Sequence, residues 1–323
     1  LQRVCSLLYG LPPMRLLLVD GHYYAYRSFY AVTALTNSQG EPTNAVYGFA
    51  KALRRMLSDL KPDLAVVVFD GGLPAERMEL LPQYKQNRSE MPADMSCQLP
   101  VIDGITELLG FPRIVVEDQE ADDVIASYAV AAKAAGWETV IATNDKDIMQ
   151  LVDGSLTIYS PGKDGQFSLI GIEGVREKWG VSPAQIGDVL SLTGDSADNI
   201  PGIRGIGPKT AAALINQFGT IEALLENPAQ IAKDKLRESI LAGVDQIKIN
   251  RRMVELNTRL PLPRAMQEFQ VVPRYPELIE ELKRLEFKGL TKEVEKEAGQ
   301  FVPAPQTKPA KSKPETGLQG ELF

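Results

Sequence analysis

One histidine and two cysteines are all the imidazole and thiol groups that this 323-residue chain can offer a metal. That excludes a multi-histidine zinc centre and leaves only His22 for a Ser-His-Asp arrangement. Cys5 and Cys97 have no metal spacing and imply no disulfide framework, which suits a reducing cytosol. Long apolar runs are missing as well; without a stretch of eighteen, no segment reads as crossing a membrane. A basic surplus is also missing. The net charge of −7 argues mildly against a nucleic-acid partner, unless much of the acid is gathered in one place and neutralised by metal. The chain is too long for one small core, so two domains are expected. Residues 1–13, "LQRVCSLLYGLPP", lack a signal peptide's cleavage pattern and read as an extension upstream of a true start at Met14.

Short apolar runs at 15–19, 64–69, 113–116, 139–142 and 156–159 read as buried strands. Helical periodicity separates them: Val46, Phe49, Ala50, Leu53, Met56, Leu57 and Leu60 in one segment, Val124, Ile125, Tyr128, Ala129 and Ala132 in another. Strand–helix alternation predicts an α/β layer around a mostly parallel sheet. Beyond about residue 180 strand-like runs cease and helical segments dominate to 299. The Pro- and Lys-rich stretch 300–323 reads as a flexible tail.

Acids follow the strands. Asp20 ends the first and Asp70 the second. Glu120, Asp122 and Asp123 follow the third, and Asp145 and Asp147 the fourth. In an open parallel sheet the carboxyl ends of the strands share one rim, where ligands bind. Asp195 and Asp198, three residues apart, would join them if the helical part packs over that rim. Helix-dipole preference explains Asp122 or Asp123 taken singly, and a turn explains Asp20. Neither explains an acid after nearly every strand. So many carboxylates would repel one another unless divalent cations bind among them. An all-oxygen set suits two or more Mg²⁺ or Mn²⁺ ions, which can activate water against a phosphodiester.

"LLLVDGHYYAYRSFYA", "GEPTNAVYGFAKAL", "VVVFD", "QEADDVIAS", "TNDKDIMQLV" and "LTGDSADNIPGIRGIGPKTAAALINQFG" resemble the 5′ nuclease family, the 5′–3′ exonuclease domains of bacterial DNA polymerase I and the flap endonucleases. The resemblance runs from about 14 to 295. It implies a PIN-like α/β catalytic domain over 14–180, with a helical arch at about 72–100, and a helical DNA-binding domain over 181–299. It implies a metal-dependent hydrolase that cuts DNA at 5′ ends and 5′ flaps, in replication (primer processing) and repair, in the cytoplasm at the bacterial nucleoid. The family's metal carboxylates fall on Asp20, Asp70, Glu120, Asp122, Asp123, Asp145, Asp147, Asp195 and Asp198, and its basic positions near the scissile phosphate on Arg27 and Lys85. In the arch segment, Arg77 and Arg88 are phosphate-binding candidates and Tyr84 a base-stacking one. Glu76 departs from the pattern, since relatives carry an aromatic there. His22 reads as a local structural residue.

"PGIRGIGPKTA", 201–211, reads as a helix–hairpin–helix, with Gly202, Gly205 and Gly207 letting backbone approach a phosphate, Lys209 adding charge and Thr210 in the following turn. A nucleotide-binding loop fails, because Pro208 intrudes before Lys209 and no strand precedes it. In the family this element grips duplex DNA, often with K⁺. The final "QGELF" resembles the Gln-x-x-Leu-Phe peptides that dock on the bacterial sliding clamp, through Gln319, Leu322 and Phe323. A monomer is expected. The alternatives are the nuclease part of a DNA polymerase I and a non-catalytic DNA-junction binder; a D-x-D phosphatase fails at "VDGHYY", where the second acid is missing.

Overall fold

The computed structural model describes residues 13–161 and 166–300. The expected extension before Met14, the tail beyond 300 and the clamp-like Gln319, Leu322 and Phe323 therefore lie outside the described residues, apart from Pro13 and Gln300.

Six strands form one sheet: β1 (Arg15–Asp20), β2 (Leu64–Phe69), β3 (Arg113–Val115), β4 (Glu138–Ala142), β5 (Leu156–Pro161) and β6 (Phe167–Ile170). Their order is β3-β2-β1-β4-β5-β6, parallel except for the antiparallel β5–β6 pair. The chain steps outward from β1 to β3 and then returns to pair β4 on the other side of β1. The β1/β4 boundary is thus the topological switch point, where the loops diverge and leave a crevice. β6 is the strand that the sequence pattern missed. It is four residues long and half solvated, too short and too polar in setting to stand out.

Both faces of the sheet are buried, and the side chains alternate between two cores. Leu17 and Val19 of β1 pack with α1 (Gly21–Ala31) and α2 (Asn44–Leu60), along with Ile102 and Ile105 of α5 (Leu99–Leu108). Between α2 and α5 the chain forms two short helices, α3 (Ala75–Leu80) and α4 (Ala93–Ser96). Leu16 and Leu18 face α6 (Ala121–Ala134), and this second core continues without a break into the helical part. There α7 (Ile172–Trp179), α8 (Ile186–Thr193), α9 (Pro208–Phe218), α10 (Ile221–Glu226), α11 (Asp234–Ala242) and α12 (Val244–Met253) follow one another. Ile186, Leu190, Ile215 and Ile247 lie in the same apolar cluster as Leu16. A strap, 254–274, then runs back along α6 to the sheet, where Ala65 N–H donates to Phe269 O at 2.8 Å. The last helices, α13 (Tyr275–Arg284) and α14 (Lys288–Ala298), close the other face. Among the described residues no helix is long and apolar enough to cross a membrane.

Candidate active site

Local chemistry starts each wall of the crevice. Asp20 ends β1 and caps α1: its Oδ1 accepts from Tyr23 N at 2.9 Å, while Oδ2 accepts from the Thr143 hydroxyl at 3.0 Å. Asp70, one residue past β2, accepts from Ala121 N at 2.8 Å and so caps α6 from another strand. Such capping satisfies helix-end N–H groups that would otherwise be orphaned. Asp70 reaches α6 because Gly71 passes so close to the β3 exit that a Cβ would stand 1.9 Å from Val116 O. His22 holds Asp70 from the other side, with Nδ1 2.9 Å from Asp70 Oδ2. Burial lowers the proton affinity of His22, but the hydrogen bond and charge of Asp70 outweigh it and the net shift is upward.

The nine candidate acids divide into two groups. Asp20, Asp70, Asp122, Asp145, Asp147, Asp195 and Asp198 act on one another across the crevice. Burial pushes the Asp20 carboxyl up to about 7, with the charges of Asp70 and Asp145 adding to it. Asp122 is raised well above the ordinary carboxylate range, first by burial and then by the charges of Asp145, Asp20, Asp70 and Asp147. Asp145 and Asp147 shift upward as well, again chiefly through burial. Asp70 moves down: burial opposes ionisation there, but the His22 and Ala121 hydrogen bonds prevail. One oxygen of this group, Asp147 Oδ1, is buried and has no hydrogen-bond partner.

Glu120 and Asp123 form the second group, and basic side chains already hold them. Arg77 Nη1 and Lys85 Nζ each contact Glu120. Arg77 also makes a two-pronged pair with Asp123, at 2.7 and 3.0 Å. Elsewhere Lys146 Nζ lies 2.7 Å from Asp195 Oδ1, and Arg88 Nη2 2.6 Å from Asp198 Oδ1. Among the described residues, accordingly, no three His, Cys, Asp or Glu side chains form a ready-made metal cage. Lys146 and Thr143 are the site residues that sequence reasoning passed over. The lysine between the two acids of "TNDKD" was the available signal.

Several assignments need correction. Tyr84 is not placed to stack on a base: it is 4% exposed, packs in the core, and its hydroxyl donates to Glu120 Oε1 at 3.1 Å. Arg77 is not a surface phosphate ligand, because its guanidinium is buried against Glu120 and Asp123. Burial lowers the proton affinity of that guanidinium, yet the two carboxylates raise it above its ordinary value. Asp123 has both oxygens engaged within the protein. Gly202 is needed for internal packing, since a Cβ there would lie 2.1 Å from Thr193 O. Gly205 and Gly207 instead have open space where a Cβ would stand, and Gly205 turns the hairpin with φ +78°.

The remaining candidates stay accessible. Arg27 lies against the Phe167 ring, 5.8 Å from its centroid, and has no ion-pair partner among the described residues. Glu76 is exposed and pairs with Arg252 at 2.8 Å. The segment expected to form an arch is latched to the loop carrying Asp195 and Asp198: Lys85 N donates to Asp198 O at 3.0 Å and Asn87 Nδ2 to Ser196 O at 2.7 Å. Lys209 and Thr210 occupy the first turn of α9, after Pro208. Beside that turn lies a groove of about 980 Å³, lined by Arg204, Gly205, Thr210, Lys233 and Lys235 among others.

Comparison with known proteins follows the same division of the chain. Residues 15–180 match the family model for the 5′-3′ exonuclease N-terminal resolvase-like domain, and residues 181–277 that for the 5′-3′ exonuclease C-terminal SAM fold. DNA polymerase I of Rhizobium leguminosarum is 41% identical over 288 residues, which cover 86% of this chain and 28% of the relative. The chain thus spans less than a third of the length of that relative. The 5′-3′ exonuclease of Aquifex aeolicus is 36% identical over 282 residues, covering 87% of this chain and 95% of the relative. The bacteriophage T5 D15 flap endonuclease, solved as a pseudo-enzyme-product complex with DNA and metal ions, superposes with a TM-score of 0.63. It does so at 20% identity, over 88% of this chain and all of that one, and shares the fold.

Proposed function

The chain belongs to the 5′–3′ exonuclease family, and from that premise we propose that it hydrolyses DNA phosphodiesters at 5′ ends and 5′ flaps with the help of divalent cations. The observation that carries the reading is the crevice at the β1/β4 switch point. There Asp20, Asp122, Asp145 and Asp147 are all driven towards the protonated form, and Asp147 Oδ1 is buried without a partner. A site that strains against its own negative charge and leaves an oxygen unsatisfied fits a cation. Asp20, Asp70, Asp122, Asp145, Asp147, Asp195 and Asp198 are the residues to hold it, with Glu120 at the edge. Divalent ions bound there would lower the pKa of an attacking water and stabilise the leaving oxygen.

The chain's own residues do the rest. Arg27, unpaired with any described carboxylate, offers a guanidinium to the scissile phosphate. Lys85 sits between Glu120 and Asp198, and Arg88 pairs with Asp198, so a phosphate entering the crevice can draw them off those acids and be oriented by them. The hairpin at 202–207 and the first turn of α9 offer backbone N–H groups and Lys209 to the duplex. K⁺ at that hairpin, and clamp docking by Gln319, Leu322 and Phe323, extend the same reading. The direct test is an end-labelled 5′-flap duplex incubated with and without Mg²⁺. Cleavage only with Mg²⁺ supports the assignment, and intact flap in both refutes it.

Lys209 serves affinity, so Lys209→Ala is expected to weaken duplex binding for every sequence alike. It should lower the slope of log K against log salt by about one. Binding titrations at several salt concentrations check this; an unchanged slope removes Lys209 from the interface.

A further inference from the structure

Among the nine acids, Asp123, like Glu120, has both oxygens held by other parts of the protein. It is 1% exposed. Its Oδ2 accepts from Arg77 Nη1 at 2.7 Å, and its Oδ1 accepts both from Arg77 Nη2 at 3.0 Å and from Asn257 N at 2.8 Å. Arg77 is the only buried residue of α3, the helix at the foot of the arch. Its Nη2 also donates to Glu255 O at 3.0 Å, and its Nη1 contacts Glu120 Oε2. Glu120 stands at the start of α6 but its own side chain does not cap the helix; Arg77, Lys85 and Tyr84 hold its two oxygens.

One guanidinium therefore joins three stretches far apart in sequence: α3, the first turn of α6, and the strap at 255–257. We infer that Arg77 and Asp123 form a positioning pair, which pins the arch foot to α6 and the strap and aims Glu120 into the crevice, and that Asp123 itself holds no metal. The chemistry is selective. A planar guanidinium matches a carboxylate in two parallel hydrogen bonds, and burial makes that match strong only while both partners are present. Each Asp123 oxygen already accepts from an Arg77 N–H, so a cation there would have to compete with a buried, charge-assisted hydrogen bond. Asp122, its neighbour in the chain, has the opposite environment: no described cation pairs with it, and four aspartates act on it.

The inference rests on the nuclease reading, and its test separates the two. Bound Mn²⁺ is counted by the loss of free-ion EPR signal on the full chain, for wild type, Asp122→Asn and Asp123→Asn. Asp123→Asn is expected to keep the wild-type number of Mn²⁺ sites, whereas Asp122→Asn loses one. Asp123→Asn should slow single-turnover flap cleavage by about 10- to 100-fold, as loss of an orienting partner does. Flap Kd should stay within about twofold, since both side chains of the pair are buried. Arg77→Lys, which keeps the charge but not the fork, should fall between. Arg77→Gln combined with Asp123→Asn should be no slower than the worse single variant, because the two act as a unit.

Where Asp123→Asn does not fold, the double variant, which leaves neither charge buried alone, is counted in its place. Loss of a Mn²⁺ site by Asp123→Asn or by the double variant, or single-variant slowdowns that multiply, overturns the inference. Absence of Mn²⁺ binding by the wild type overturns the nuclease reading beneath it.

Discussion

Asp122→Asn is expected to abolish flap cleavage in Mg²⁺ and, in EDTA, to raise the melting temperature. Both effects have one cause. The Asp122 carboxyl is driven up by burial and by the charges of Asp145, Asp20, Asp70 and Asp147, so the folded chain works against its ionisation. An amide of the same shape removes that repulsion. The gain shows as a higher melting temperature, with fewer degrees per kcal/mol than in a small domain because the unfolding entropy grows with chain length. The same substitution removes an anionic oxygen from the proposed cation site. That loss costs several kcal/mol of transition-state stabilisation, or about 10³-fold or more in single-turnover rate. Scanning calorimetry in EDTA and single-turnover cleavage in Mg²⁺ check the two halves. A variant that cuts at the wild-type rate, or melts lower than wild type in EDTA, contradicts the site as described.

The second large effect is on pH dependence. In EDTA the protein should lose stability as pH rises from about 4 to about 7. The sign follows from proton binding. Asp20 titrates near 3.8 in the unfolded chain and at about 7 in the folded one, so between those values the folded state holds a proton that the unfolded state has released. Stability then falls with rising pH, by up to about 1.4 kcal/mol per pH unit for each such group. Asp122, Asp145 and Asp147 are shifted the same way and add to the slope. His22, raised from 6.5 by Asp70, contributes stability that is full below that value and lost as pH climbs through its folded pKa, again the same sign. Asp70, shifted downward, acts oppositely, but only below pH 3.8. Excess Mg²⁺ competes with protons for these oxygens and should flatten or reverse the slope above neutrality. Melting temperatures across this range, with EDTA and with Mg²⁺, decide the matter; a rising curve in EDTA would contradict the crowded crevice.

These two results would set the functional acids apart from the structural ones. Asp123→Asn, in contrast to Asp122→Asn, should lower stability, since it weakens the hold on a buried guanidinium. Neighbouring residues with the same side chain thus respond in opposite directions, according to which partner each meets.

The five parallel strands were legible in the sequence because each is a short apolar run, a local signal that survives without tertiary information, although the edge strand β3 leaves Val115 40% exposed. The rim of acids was legible for a related reason. Parallel strands must end on one edge, so an acid after each run has one place to go. The fate of each acid was not legible. Asp20 and Asp70 turned out to cap helices as well as face the crevice, a double use that spacing cannot distinguish from either role alone. Arg77 and Tyr84 looked like surface residues of a polar loop, yet both are buried against Glu120.

What the sequence by itself determined, then, was the parallel part of the sheet and the gathering of acids at its rim. Apolar periodicity and charge position are properties of neighbouring residues. The tertiary structure alone decided which cation meets which anion. Arg77 lies 46 residues from Asp123, and its other contact, Glu255 O, lies 178 residues away. A charge pair is settled by distance through space and by the desolvation that burial imposes, and neither is written in the local order of the chain.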